Sequence, residues 1–277
     1  MRIMFLPKFD KKRVTVNKAL VTFVVVCFIG ICSYAFCESE MPEDTAGIKA
    51  EDYEIAISMK VIRKIELPKG YHEGLLLQDG NIWVNNGEGG PTWVVDLGSG
   101  EIVSEIKPVA TFSEGITAGP NGKYWITDWD TKKLYSVSID DNIMKAESEI
   151  VFDSSHPAGV VWNGEYLYVV TWTRGMGTQY HLLKIDKEGN ILSKARIENI
   201  PEPSQLAWDG KDLWISSWFD RRIYRINTET LEITGYFRSK VKSTTGIAWD
   251  GEYFWVTGTK ADLYQIEITP REDQVLL

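Results

Sequence analysis

A two-residue turn ending in glycine returns five times along the chain, as Asp79-Gly80, Asn121-Gly122, Asn163-Gly164, Asp209-Gly210 and Asp250-Gly251. The intervals are 42, 42, 46 and 41 residues. That is the length of a four-stranded propeller blade, and it is too long for a leucine-rich or ankyrin repeat. Each turn lies between two apolar alternating runs. Asn-Gly or Asp-Gly in that setting signals a hairpin whose type I′ turn needs positive φ at both central residues. A lead-in of small residues precedes each turn: Glu73-Gly74-Leu75, Glu114-Gly115-Ile116, Ala158-Gly159-Val160, Ser204-Gln205-Leu206 and Thr245-Gly246-Ile247. Second strands follow at Ile82 to Val84, Tyr124 to Thr127, Tyr166 to Val170, Leu213 to Ser216 and Tyr253 to Thr257, then a third strand in every unit. Four units continue into an outer strand such as Ile102 to Lys107.

The fifth unit runs out after its third strand, because the stretch from Thr269 to Leu277 is charged and opens on Thr-Pro. Its missing partner lies at the other end, where Lys60 to Leu67 reads like the outer strands and runs straight into the first lead-in. Pairing there would close the ring and remove an open sheet edge. The predicted fold is all-β: one five-bladed β-propeller closed by an N-terminal strand and preceded by a signal or anchor segment. The expected division is 1–37 for that segment, 38–52 for a linker, 53–270 for the propeller and 271–277 for a tail.

Arg2, Lys8, Lys11, Lys12, Arg13 and Lys18 stand against Asp10 at the N-terminus, and Ala19 to Phe36 carries no charge. This pattern is a signal peptide or an N-terminal membrane anchor. Ser33-Tyr34-Ala35 and Ala35-Phe36-Cys37 both place small residues where a cleavage site needs them. The expected location is outside the cytoplasm: periplasmic, secreted, or anchored and facing outward. Cys27, Cys32 and Cys37 all lie in or beside this segment, so the propeller has no cysteine pair to oxidise. The formal charge of −9 divides into +5 on the first 35 residues and −14 on the rest. An acidic globule repels phosphate backbones, which excludes nucleic acid as a partner. The expected protein is a monomer without cofactor, touching membrane only through its N-terminal segment.

Measured from the turns, an aromatic rule emerges. Trp125 is followed four residues later by Trp129, Tyr168 by Trp172 and Trp214 by Trp218, while Trp83 and Trp255 lead to Gly87 and Thr259. Trp83, Trp125, Trp214 and Trp255 read as packing between units. Trp129, Trp172 and Trp218 fall where the strand ends, so they are expected at one rim, walling a mouth that suits a cationic amine or the apolar face of a sugar. Glu73 and Glu114 open the first two lead-ins. A carboxylate beside aromatic walls has a raised pKa and can move a proton near neutral pH. His72, His156 and His181 lack metal-ligand spacing, so no zinc site is expected. Nucleophile elbow, phosphate loop and dinucleotide fingerprint are all missing.

These residues resemble the glutaminyl-peptide cyclotransferases of the plant and bacterial type, which are five-bladed propellers. The resemblance runs from about Tyr71 to Ile268. Tyr71-His-Glu-Gly-Leu75 is similar to the family's Phe-Thr-Gln-Gly-Leu, and Phe112-Ser-Glu-Gly-Ile116 to Phe-Gly-Glu-Gly-Leu/Ile. Leu213-Trp-Ile-Ser-Ser-Trp218 resembles Ile-Trp-Ala-Asn-Val-Trp, and Phe254-Trp-Val-Thr-Gly258 resembles Leu-Phe-Val-Thr-Gly, which the family continues with lysine. The resemblance implies Glu114 as the acid/base, with Phe112, Glu73, Trp129, Trp172, Trp218 and Thr259 around the substrate. It implies attack of a peptide's N-terminal amine on its own glutamine side chain, releasing ammonia and leaving pyroglutamate. Thr259 stands in place of the family lysine, with Lys260 displaced by one, and His156-Pro-Ala-Gly159 replaces a tryptophan-containing segment. Two other functions fit the same residues. One is a non-catalytic propeller that binds a peptide terminus, a small amine or a glycan. The other is a lactonase-like hydrolase with Ca²⁺ on Glu73, Glu114, Asp128 and Asp130.

Overall fold

The computed structural model describes residues 44–48 and 56–269. The charged and apolar N-terminal segment, its three cysteines and the tail lie outside the described residues. Among the described residues there is no α-helix, only a single 3₁₀ turn at Pro120–Gly122.

Each repeat becomes an antiparallel meander. The first runs His72–Gln78, Asn81–Asn86, Thr92–Asp96 and Ile102–Ile106. The second runs Ser113–Ala118, Tyr124–Asp128, Lys133–Asp140 and Ile143–Val151, and the third Ser155–Trp162, Leu167–Thr173, Gln179–Ile185 and Ile191–Ile197. The fourth comprises Pro203–Trp208, Leu213–Ser217, Arg222–Ile226 and Ile233–Arg238. The fifth has Thr244–Trp249, Phe254–Gly258 and Leu263–Thr269 of its own. Its outer strand is the N-terminal Ala56–Ile65, in antiparallel register from Ser58↔Thr269 to Ile65↔Leu263, as the sequence predicts. A short parallel pairing, Tyr236↔Ala56 and Phe237↔Ile57, joins the fourth and fifth units into one eight-stranded sheet. Within the expected linker, Asp44–Ile48 forms a strand parallel to Ile191–Ile197.

The core lies between consecutive units. One apolar cluster joins Trp83 and Val94 of the first unit to Ile126 and Tyr135 of the second. Others join second to third through Phe152 and Leu183, third to fourth through Tyr168 and Leu206, and fourth to fifth through Phe237 and Phe254. A further cluster closes the cycle by packing Ile65, Trp255 and Leu263 against Leu75 and Trp93. Full burial of side chains such as Phe237 and Phe254 contributes about 1.5–3 kcal/mol each. An exposed ion pair such as Lys60–Glu267 contributes about 0–1 kcal/mol, so apolar interfaces hold the ring.

Innermost strands follow one another round the axis, and the fifth meets the first. They approach backbone to backbone, which explains the glycine of the lead-ins. A Cβ on Gly74 would stand 2.5 Å from the Glu114 carbonyl oxygen, and one on Gly159 2.5 Å from that of Ser204. Buried hydroxyls tie the same strands together: Thr127 donates to the Ala158 carbonyl, Ser216 to Thr244 and Thr245 to His72.

The turns divide into two kinds. Asp79-Gly80 has positive φ at both residues (50° and 76°), as does Asn121-Gly122 (62° and 71°), in agreement with type I′ geometry. In the Asx-Gly pairs of the last three units only the glycines, Gly164, Gly210 and Gly251, have positive φ, so the expected type I′ turn is not formed there. The hairpin loops at these places contain four residues, because Trp162 pairs with Leu167, Trp208 with Leu213 and Trp249 with Phe254. The side chain of Asn163, Asp209 or Asp250 accepts the two otherwise orphaned N–H groups, for example Lys211 at 2.8 Å and Asp212 at 2.7 Å on Asp209. The second carboxylate oxygen of Asp209 and Asp250 accepts the indole N–H of Trp214 and Trp255 at 2.7 and 2.8 Å.

Candidate functional site

A cavity of about 410 Å³ opens at the rim opposite those turns. The first residue of every lead-in reaches it: Glu73, Glu114, Ala158, Ser204 and Thr245. Strand alternation explains the set, since the next residue must face the neighbouring inner strand and is glycine in four units. These five side chains form the floor. Glu73 is 2% exposed, and Glu114 is partly buried.

The two floor carboxyls hydrogen-bond each other. Burial, then the charge of Glu114, pushes Glu73 well above the ordinary carboxylate range. Burial lifts Glu114 to about 7, against hydrogen bonds from Glu73 and Gln205 that favour its charged form. Burial and mutual contact favour the protonated form in this pair, the more so at Glu73. Gln205 stands at the lead-in position where the other units have glycine, and its amide reaches Glu114 at 3.4 Å.

The wall comes from the residue four beyond each second-strand aromatic. Trp129 and Trp218 sit just past their strands, while Trp172 ends within Leu167–Thr173. All three line the cavity, as does Phe112. Trp129 is stacked on His156 at 4.8 Å, meets Trp172 edge-on at 5.4 Å and lies under the Arg174 guanidinium at 5.1 Å. Trp172 donates to the Pro203 carbonyl at 2.6 Å, and His156 Nδ1 lies 2.8 Å from the Trp129 carbonyl. These contacts fix the rings before any ligand arrives. In the segment that replaces the tryptophan-containing one, Ala158 lines the cavity and His156 does not.

Where the first unit lacks its wall tryptophan, Phe112 fills the gap. Its ring packs on Gly87, where a Cβ would come within 2.8 Å of Cζ. The position is held by Asp128, which is fully buried and accepts the N–H groups of Thr111 at 2.8 Å and Phe112 at 3.1 Å. Asp128 also accepts Asp130 and Thr131, so it binds backbone and does not face the cavity. The four carboxylates considered for Ca²⁺ thus do not gather round one point. Among the described residues no three His, Cys, Asp or Glu side chains converge to hold a metal.

Thr259 departs from expectation, for it does not line the cavity. The loop of the fifth unit turns back at once, with Ala261 N–H donating to the Gly258 carbonyl at 2.9 Å, and the Thr259 carbonyl is occupied by His72 N–H at 3.2 Å. Lys260 does not line the cavity either.

Sequence reading overlooked Tyr71, Glu202 and Arg174 on the wall. Tyr71 and Glu202 were legible with the same ruler, because each stands two residues before a lead-in, as Phe112 does. The wall residue's N–H donates to that position: Gly87 to Tyr71 at 2.7 Å, Trp129 to Phe112 at 3.1 Å and Trp218 to Glu202 at 2.9 Å. Glu202 has φ of 48° and a buried Oε2 without a partner. Arg174 carries no such periodic signal. With Glu73, Glu114, Asp130 and Glu202 against Arg174 alone, the cavity favours a cationic ligand.

The chain is similar to the crystal structure of Myxococcus xanthus glutaminyl cyclase, with 15% identity and a TM-score of 0.65, over 79% of this chain and 100% of that one. A nidogen/laminin complex matches at 16% identity and TM-score 0.50, over 73% of this chain and 86% of that one. Virginiamycin B lyase from Staphylococcus aureus matches at 14% identity and TM-score 0.48, over 77% and 100%. At these identities the similarity shows a glutaminyl-cyclase-like propeller fold and carries no activity with it. No family model matches the sequence, and no curated protein matches it.

Proposed function

We propose that the five units are the blades of one closed propeller acting outside the cytoplasm as a monomer, and that its cavity cyclises the N-terminal glutamine of peptides. The five lead-in residues meeting on one floor support the blade count. The observation that carries the activity is the Glu73–Glu114 pair, two carboxyls side by side at the bottom of an aromatic cavity rich in acidic residues.

An N-terminal amine enters beside the carboxylates and the tryptophan faces, which stabilise its cationic form on arrival. The ammonium first gives one proton to solvent, and Glu114 as carboxylate takes a second from the nitrogen as it attacks. The amine nitrogen forms a bond to the side-chain amide carbon, and Glu114 returns the proton to the amide nitrogen as that carbon–nitrogen bond breaks. Ammonia leaves, pyroglutamate remains, and Glu114 is again a carboxylate. Glu73 keeps its own proton throughout and holds Glu114 in place. A group near pH 7 serves well in both directions at neutral pH.

The test is ammonia release from a glutamine-initiated peptide by the chain and by Glu114→Gln, with pyroglutamate confirmed by mass. Cyclisation by the first and near-complete loss in the second is expected; equal rates would remove the enzyme. A second reading, capture of a peptide N-terminus without turnover, is favoured by one observation: no lysine from the fifth unit lines the cavity. Binding without ammonia release would select it.

A further inference from the structure

Among the described residues seven large apolar side chains are exposed. Ile62, Val103, Ile143 and Leu192 all lie on outer strands. The other three, Met176, Trp218 and Phe219, lie in the loops that join second to third strand in the third and fourth units. These are equivalent loops of consecutive units, and both send residues into the cavity through Arg174 and Trp218. Phe219 is 69% exposed and Trp218 40%. The corresponding loops of the other units present Glu88, Asp130, Lys132, Lys260 and Asp262 instead. The exposed apolar side chains of the mouth are therefore gathered in one sector, beside Arg174, Asp220 and Arg221 of the same two loops.

This sector is prepared for contact. Ser217 Oγ accepts the N–H of Phe219 at 3.2 Å and of Asp220 at 3.1 Å, so the Phe219 backbone is fixed. Met176 stands between Gly175 and Gly177, and a thioether on such a loop adapts to irregular apolar surfaces. A cavity of about 410 Å³ is at the small end of ligand sites, so most of a peptide must lie across the rim.

We infer that Met176, Trp218 and Phe219 form a lip that receives the second or third residue of a peptide whose N-terminus occupies the cavity, selecting a large apolar side chain there. The inference rests on the proposal that the cavity takes a peptide N-terminus. Continuity carries it: Trp218 belongs both to the cavity wall and to the exposed sector. The two parts differ in chemistry, with carboxylates for the ammonium below and apolar side chains for the peptide side chain above.

The experiment titrates two peptides into the full-length Glu114→Gln chain by calorimetry, Gln-Phe-Ala-Ala and Gln-Gly-Ala-Ala. The phenylalanine peptide is expected to bind about tenfold more tightly, and a Met176→Ser/Phe219→Ser double substitution in the same chain should bring the two affinities within about twofold. Equal affinities in the parent, a preference that survives the double substitution, or binding of neither peptide would each overturn the lip. Ammonia release by the unsubstituted chain is read separately. Its absence with both peptides, beside an intact binding preference, would remove the cyclase and leave the lip standing.

Discussion

The floor and the mouth of the cavity are drawn from the same repeat, yet they follow different rules. On the floor every unit contributes a residue, because inner strands packed backbone to backbone alternate one side chain toward the axis with a residue toward the neighbour, which is glycine in four of the five units. At the mouth only some units contribute, because loops are free to vary. Gly87 yields its place to Phe112, and Thr259 does not line the cavity. The floor is thus where a titratable pair can be held buried, and the mouth is where selectivity can be added without disturbing the ring.

The largest effect that separates the two is Glu114→Gln, expected to lower kcat by about 10²–10⁴-fold with KM little changed. A loss smaller than about tenfold would break the assignment of chemistry to the floor. Next, Gly159→Ala should destabilise the fold by about 1–3 kcal/mol in denaturant titration, whereas Ala158→Ser, one residue earlier and facing the cavity, should be close to neutral. Similar costs for both would contradict the alternation. At the mouth, Trp172→Leu should raise KM about tenfold through loss of aromatic surface, with kcat within about twofold. An equal fall in kcat would make the wall part of the chemistry.

The smallest effect is one of pH, and it has opposite signs for stability and activity. Glu73 and Glu114 both titrate higher in the fold than in the unfolded chain, so the fold favours their protonated forms. Their contribution to stability is complete below the ordinary carboxylate value near 4.5 and is lost as pH rises, in the case of Glu114 through about 7. The melting temperature should decline across that window, less so in Glu73→Gln, while kcat/KM rises as Glu114 becomes a carboxylate. Parallel trends in the two measurements would show that the pair does not titrate as a buried unit.

Much of this was legible in the chain. Five Asx-Gly turns at near-equal spacing set the strand order, and the same spacing identified Glu73, Glu114, Trp129, Trp172 and Trp218 before any coordinates. Closure by the N-terminal strand was equally readable, because Lys60 to Leu67 alternates like the other outer strands. Local periodicity suffices for these features, since strand pairing in a meander follows the order of the chain. Turn type was misread in three units, where two extra residues are bound by an Asx side chain rather than by a type I′ turn.

What only the tertiary structure decided is which of the periodic positions meet. Thr259 and Trp218 sit at the same offset, yet Trp218 lines the cavity and Thr259 does not. Glu73 and Glu114 are 41 residues apart in sequence, and Gln205 reaches Glu114 from 91 residues away. Their raised pKa values depend on burial and on contact between neighbouring inner strands. A repeat encodes the strand and the direction of each side chain through local alternation. Closing the ring sets distance and desolvation, and those two quantities turn a pair of ordinary glutamates into an acid–base couple.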